Sequence, residues 1–304
     1  MWPRAIAPAI LSRPFMSFQE RDTARMTRAP CVFPGHSRLA DLPMKKLFAC
    51  LAMALAGHAF AAPAAPACAQ FVPDGQFPTL TNQRMAPKTH MLCYSDYVVL
   101  HSGVTHGPLW SAEHITRDHL EAAKDMTRTN RFFEDDRLPE GDGATLADYK
   151  RSGFDRGHMS PAGNRWNPQA MAESFSLANV VPQNRENNQR LWSHIETAVR
   201  KLATKYGDAY VVTGPLFSGA QLQTIGASRV LVPTQIFKVV YVPSQQLAFA
   251  IVADNASADR YEVRSVRDLE AQSGIAFPGI PASVAAQTKV SFNGRAFAVR
   301  KWGW

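Results

Sequence analysis

Between Asn188 and Tyr206, the apolar residues Leu191, Ile195, Val199, Leu202 and Tyr206 return every three or four positions. That period matches the turn of an α-helix and predicts an amphipathic one with a single face turned to a core. A shorter helix is expected over Pro168–Leu177, with proline in its first turn. Another is expected over Val263–Gln272, ended by Gly274. The segment from Trp110 to Ala123 changes character midway and reads as strand running into helix. Tyr97–Leu100, Ala209–Thr213, Gln235–Val242 and Leu247–Val252 are rich in β-branched or aromatic residues and read as strands. Glu134, Asp135, Asp136, Pro139, Gly141 and Gly143 predict a surface loop over 134–148. Strands and helices in no regular βαβ alternation place the chain in the α+β class.

The first residues of the 304-residue chain show no such pattern. Lys45 and Lys46, an apolar run from Leu47 to Ala56, and Ala59-Phe60-Ala61 read as a signal peptide over 44–61, cut after Ala61. The run is too short to span a bilayer, and nothing later approaches a membrane span. Residues 1–43 are then expected to lie upstream of the true start at Met44. Their arginines also fit a transit peptide, but Glu20, Asp22, Asp41 and the signal that follows oppose that reading. The expected destination is the periplasm or the medium. Residues 62–92 are expected to be a leader, and 93–304 one domain large enough for a substantial core.

Removing the prefix changes the charge balance. The first 61 residues hold eight basic and three acidic side chains, which is +5 of the formal +8. The remainder carries 25 basic against 22 acidic groups, so any phosphate-attracting surface must come from local clustering. Of the four cysteines, Cys31 and Cys50 fall in the removable part. Cys68 and Cys93 remain as a pair in an oxidising compartment and are expected to form a disulfide. Two cysteines cannot build a cysteine-rich zinc site.

The chemistry concentrates in Asp155-Arg-Gly-His-Met-Ser-Pro-Ala-Gly-Asn-Arg165. His158 is an imidazole able to take a proton near neutral pH, and Arg156 and Arg165 are guanidinium groups suited to an anion. Gly157 permits an unusual turn and a close approach. Alone, such a histidine would be read as structural; in this setting it reads as the base of a phosphodiester hydrolysis. Asn188 projects to the inner arc of its helix, either as a cap or as an oxygen ligand for a hard, hydrated cation. Glu196, two turns on, is either a solvated glutamate or an acceptor for water around that cation. Lys238 in its apolar strand reads equally as structural or phosphate-facing. Glu113-His114 resembles a fragment of a metalloprotease motif, but no second histidine sits at the required spacing. His90, His101 and His106 read as ordinary residues.

Phe154–Arg165 resembles the signature of the DNA/RNA non-specific endonucleases, a family that includes secreted sugar-non-specific nucleases and mitochondrial endonuclease G. The resemblance continues through Glu173–Gln183 and Asn187–Glu196 and touches Trp110–His114 and Val232–Lys238. It covers most of 94–300 with motifs in the right order. It implies a ββα-metal (His-Me finger) nuclease fold with a central, mainly antiparallel sheet flanked by helices. It further implies one catalytic divalent ion, Mg²⁺ with Mn²⁺ as the alternative, and DNA and RNA as substrates.

Residue by residue, His158 matches the general base and Asn188 the sole direct protein ligand of the hydrated metal. Asn179 matches a motif position that supports the site, and Glu196 the glutamate that orients water. Arg156 matches the arginine near the scissile phosphate, and Arg131 an upstream arginine that stabilises the transition state. Asp155 is left as a structural partner. Homodimers occur in the family, though no segment here specifies one. The competing readings are a non-catalytic nucleic-acid-binding or uptake protein and a toxin-like nuclease held by an inhibitor; the intact signature opposes the first.

Overall fold

Strands in the middle of this chain are apolar on both faces because both faces of their sheet are covered. The computed structural model describes residues 68–257, 260–292, 295–298 and 301–303, with side chains described as far as 289. The expected upstream extension (1–43), signal peptide (44–61) and first part of the leader (62–67) lie outside the described residues. In chain order the principal elements begin with β1 Thr89–Cys93, β2 Val98–Ser102, β3 Gly107–Thr116, α1 Arg117–Ala122 and β4 Asp155–His158. They continue through α2 Pro168–Glu173, β5 Val180–Gln183, α3 Ser193–Tyr206, β6 Asp208–Leu216 and β7 Gln235–Val242. The last are β8 Leu247–Asp254, β9 Arg260–Arg264, α4 Val266–Ser273 and β10 Lys301–Gly303.

An eight-stranded sheet runs in the order β10-β9-β8-β7-β6-β3-β2-β1, every neighbouring pair antiparallel. Alternate residues divide cleanly between its faces. Val212 of β6, Phe237, Val239 and Tyr241 of β7 and Ala250 of β8 meet Phe71, Val72, Val266, Leu269 and Ile275 in one core. Val211 of β6, Ile236 and Val240 of β7 and Phe249 of β8 meet Leu191, Trp192, Ile195, Val199 and Leu202 of the α3 region in the other. The α+β class and the helix-flanked antiparallel sheet are therefore as expected. The α3 stripe is buried at Leu191, Ile195, Val199 and Leu202, and Gly207 at φ 105° ends the helix.

Three expectations change. Residues 68–92 are not a leader ahead of the domain but part of its fold. Cys68 is disulfide-bonded to Cys93 across 5.9 Å between Cα atoms, Phe71 and Val72 are in the core, and β1 forms an edge of the sheet. The helix expected from Val263 begins at Val266, because Val263 and Arg264 pair with β8 and Ser265 caps the helix through Asp268 N. The loop 134–148 is not wholly at the surface. Asp135, Asp142 and Asp148 are buried there, and Asp135 accepts bonds from Tyr94 Oη, Ser176 Oγ and Arg137 Nε. A buried carboxylate is tolerated when donors surround it, a condition that local composition does not reveal. The short helix Leu146–Tyr149 also lies in this segment, closed at its start by reciprocal bonds between Thr145 and Asp148.

Candidate active site

The second face of the sheet carries a ββα unit. β4 and β5 pair antiparallel, Asp155 opposite Gln183 and His158 opposite Val180, and a π-helical turn at Asn187–Trp192 leads into α3. Gly157 is required at its place because a Cβ there would collide with the Gln183 side chain. That side chain donates to Asn187 Oδ1 at 2.7 Å, and Asn187 Nδ2 donates to the Asp254 carbonyl at 2.8 Å. The helix start is thus pinned to the end of β8.

Asn188 lies within the π-turn, its backbone N–H donating to Asn184 O at 2.8 Å, so it is not a cap. Its side-chain Nδ2 donates to Asp155 Oδ2 at 3.1 Å, and Gln189 Nε2 donates to the same oxygen at 2.8 Å. Arg185 Nε reaches Asp155 Oδ1 at 3.2 Å. A carboxylate can only accept, so Asp155 commits the nitrogen side of the Asn188 amide and leaves Oδ1 as the face open to a cation. Among the described residues no three His, Cys, Asp or Glu side chains gather to hold a metal. A lone amide oxygen suits a hard ion that keeps most of its waters, and on that test Asn188 fits Mg²⁺ or Mn²⁺.

His158 closes β4 and is buried, its ring 5.2 Å from that of Phe132 and 5.0 Å edge-on from that of Phe175. Its Nε2 has no hydrogen-bond partner among the described residues. Burial, then the charges of Arg128, Arg165 and Arg156, push its pKa down to about 3. The imidazole is therefore neutral across the physiological range, with Nε2 carrying no hydrogen bond among the described residues. Arg156 is exposed, with its guanidinium 4.2 Å from the Phe132 ring centroid. It borders a cleft of about 550 Å³ that is also lined by Arg128, Lys150, Arg151, Arg185 and Asn188.

Arg131 is exposed and does not line that cleft. The arginine that does, three residues earlier, is Arg128, with its guanidinium 5.0 Å from the Phe175 ring centroid. Arg128 is thus a second upstream candidate beside Arg131, and the one that reaches the cleft wall. The sequence resemblance names Arg131 alone and does not single out Arg128. Replacing each by alanine discriminates them. Arg128→Ala should lower kcat/KM on plasmid about 10²-fold, and Arg131→Ala should stay within twofold. Equal losses would return both to the same footing.

Asn179 is wholly buried, and its amide is used up inside the protein. Oδ1 accepts from Ser111 Oγ and Ser160 N, both at 2.9 Å, and Nδ2 donates to the carbonyls of Ser160 and Ser174. With both lone pairs and both protons spent, it shapes the turn after His158 and has no capacity left for a substrate. Glu196 is half-buried on α3 and makes no hydrogen bond among the described residues. Burial raises its carboxyl, opposed by the nearby charges of Lys238 and Arg200.

Beneath these groups lies a polar patch in the otherwise apolar face. Ser111, Thr213 and Lys238 are register neighbours across β3, β6 and β7, and Glu113 lies two residues along from Ser111. Glu113 is buried and accepts from Ser160 Oγ at 3.0 Å, Asn164 Nδ2 at 3.1 Å and Arg165 Nη2. Arg165, fully buried, also pairs with Asp96 at 2.9 Å. Lys238 turns out to be buried, its Nζ donating to Thr213 Oγ1 at 2.6 Å. Sequence reasoning set Glu113 aside and did not single out Asp96. The available signal was a charged or hydroxyl residue at an inward position of an apolar strand.

The family model described as DNA/RNA non-specific endonuclease matches residues 78–280. A zebrafish (Danio rerio) relative, Nuclease EXOG, mitochondrial, is 37% identical over 205 residues, 60% of this chain and 59% of its own. Human Endonuclease G, mitochondrial, is 40% identical over 154 residues, 47% of this chain and 52% of that protein. The chain thus spans less than two thirds of either. Nuclease C1 of Cunninghamella echinulata var. echinulata is 35% identical over 201 residues and is covered to 79%. A crystal structure of the EndoG/EndoGI complex superimposes with TM-score 0.57 and 27% identity, covering 66% of this chain and 91% of that one. With two thirds of its residues matched by the family model and the ββα unit in place, the chain belongs to the DNA/RNA non-specific endonuclease family.

Proposed function

We propose that the protein is an exported, divalent-metal-dependent endonuclease that hydrolyses phosphodiester bonds of DNA and RNA with little sequence preference. The observation that carries this reading is the buried His158 imidazole, neutral and with no partner on Nε2 among the described residues, in the same ββα unit as an asparagine whose amide Asp155 has oriented. Nε2 takes a proton from water, and the resulting hydroxide attacks phosphorus in line. The P–O3′ bond breaks, and the departing O3′ takes a proton from solvent water, leaving a 5′-phosphate and a 3′-hydroxyl. Arg156 and Arg128 meet the charge that builds on the phosphoryl oxygens. Asn188 Oδ1 would hold Mg²⁺ or Mn²⁺, which would supply Lewis-acid stabilisation of the negative charge that develops. Glu196 offers the nearby water a carboxylate that no protein donor has claimed.

These contacts all address phosphate, which is shared by DNA and RNA, so base identity should matter little. Export rests on the basic, apolar and Ala-x-Ala pattern of 44–61. Supercoiled plasmid and RNA, each incubated with Mg²⁺ or EDTA, test the reading. Metal-dependent loss of both substrates is expected. Retention without cutting under Mg²⁺ and Mn²⁺ alike would favour a nucleic-acid-binding protein.

A further inference from the structure

Lys238 is a charge without an obvious purpose. It stands in the middle of the sheet, 1% exposed, and among the described residues its ammonium's only hydrogen bond is to the hydroxyl of Thr213 opposite it. Burying an ammonium on a hydroxyl alone is costly, and a methionine would fill the same space more cheaply. The acids around it are few. Glu113 is already bonded by Ser160, Asn164 and Arg165. Glu196 is not bonded at all.

Helix geometry brings Glu196 near the lysine without a direct ion pair between them. Lys238 Nζ lies 5.3 Å from the ring centroid of Trp192, and Glu196 follows Trp192 by four residues, on the same face one turn along. Arg200 follows by four more and donates to Asn164 Oδ1 at 3.2 Å. One face of the helix therefore presents Trp192, Glu196 and Arg200 in a row over the polar patch. The charged groups facing Glu196 are Lys238 from β7, Arg200 from its own helix, Glu113 from β3 and Arg128 from the cleft wall. Arg200 is tied to Asn164, Arg128 lies at the solvent edge, and Glu113 repels. Lys238 is the buried cation of the set.

We propose that Lys238 is a positioning residue for Glu196, holding that carboxylate anionic from beneath the helix so that it accepts hydrogen bonds from water in the cleft. This rests on the nuclease reading for its consequence, but the coupling itself is measurable without any catalysis. In metal-free protein with ¹³C-labelled glutamate, the Glu196 carboxyl is assigned by the signal that Glu196→Gln removes, and is titrated directly. Lys238→Met should move its midpoint upward by about one pH unit or more. Thr213→Val, which keeps the shape and releases the ammonium, should move it the same way by less, and it carries the test if Lys238→Met does not fold. In Mg²⁺-dependent plasmid cleavage, the acidic limb of the pH–rate profile should rise by the same amount in each variant.

A purely structural lysine would lower the melting temperature and leave both midpoints where they are, which overturns the proposal. A carboxyl midpoint that moves while the pH–rate limb stays in place overturns the link to the reaction. Absence of cleavage by the wild-type protein, with the carboxyl shift present, would instead defeat the nuclease reading and with it this role.

Discussion

His158→Ala should lower plasmid cleavage by about 10³-fold, the contribution of a positioned general base, while leaving the protein folded. The side chain touches Phe132 and Phe175 and makes no bond through Nε2, so its removal opens a small hollow without stranding a buried partner of that nitrogen. Retention of wild-type turnover would refute the assignment.

The same variant has a second signature, in acid stability. An ordinary histidine in the unfolded chain titrates near 6.5, whereas the folded one titrates at about 3. Between those values the unfolded state binds the extra proton, so stability falls as pH drops through that window. At pH 4.5 the folded state has lost about 3 kcal/mol relative to pH 8 through this group. Urea unfolding of His158→Ala should show that much less acid sensitivity. Parallel pH curves for wild type and variant would mean that the imidazole is not held neutral by the fold.

Arg165→Met should have the largest effect on stability. Arg165 is fully buried between Glu113 and Asp96, and its loss strands two carboxylates in the core. Breaking a buried pair in this way costs about 3–5 kcal/mol. For a domain of this size that is roughly a 10 °C fall in melting temperature. Glu113→Gln added to Arg165→Met should recover part of the loss, because one stranded charge is gone. A single-variant change below about 1 kcal/mol would show that the cluster is not held as an ion pair. Activity should fall as well, since Glu113 anchors Ser160 and Asn164 in the turn that follows His158.

The elements best read in advance were those whose pattern is local. The α3 stripe, the strands over 209–213, 235–242 and 247–252, and the pairing of Cys68 with Cys93 follow from periodicity and parity of residues near one another in the chain. His158 and Asn188 stand out as candidates because the motif and the helix that carry them are each compact in the chain. The start of α4 was misjudged at Val263, because an apolar, charged, β-branched run fits helix or strand until a neighbouring strand claims its backbone. Residues 68–92 were set apart from the domain because many of the residues that share their core lie far along the chain, among them Val239, Tyr241 and Ile275.

The sequence by itself determined the class, the candidate base and the candidate metal-holding amide, since these rest on residue type and short-range spacing. Only the tertiary structure decided which upstream arginine reaches the cleft, and that Asn179 is spent on internal bonds. It also decided that Asp155 orients Asn188 and that Glu113, Arg165 and Lys238 form a charged floor under the site. The physical reason is common to all of these. A side chain's protonation and bonding depend on what long-range folding brings within a few ångströms, and here Thr213 is paired with Lys238 25 residues on and with Ser111 102 residues back.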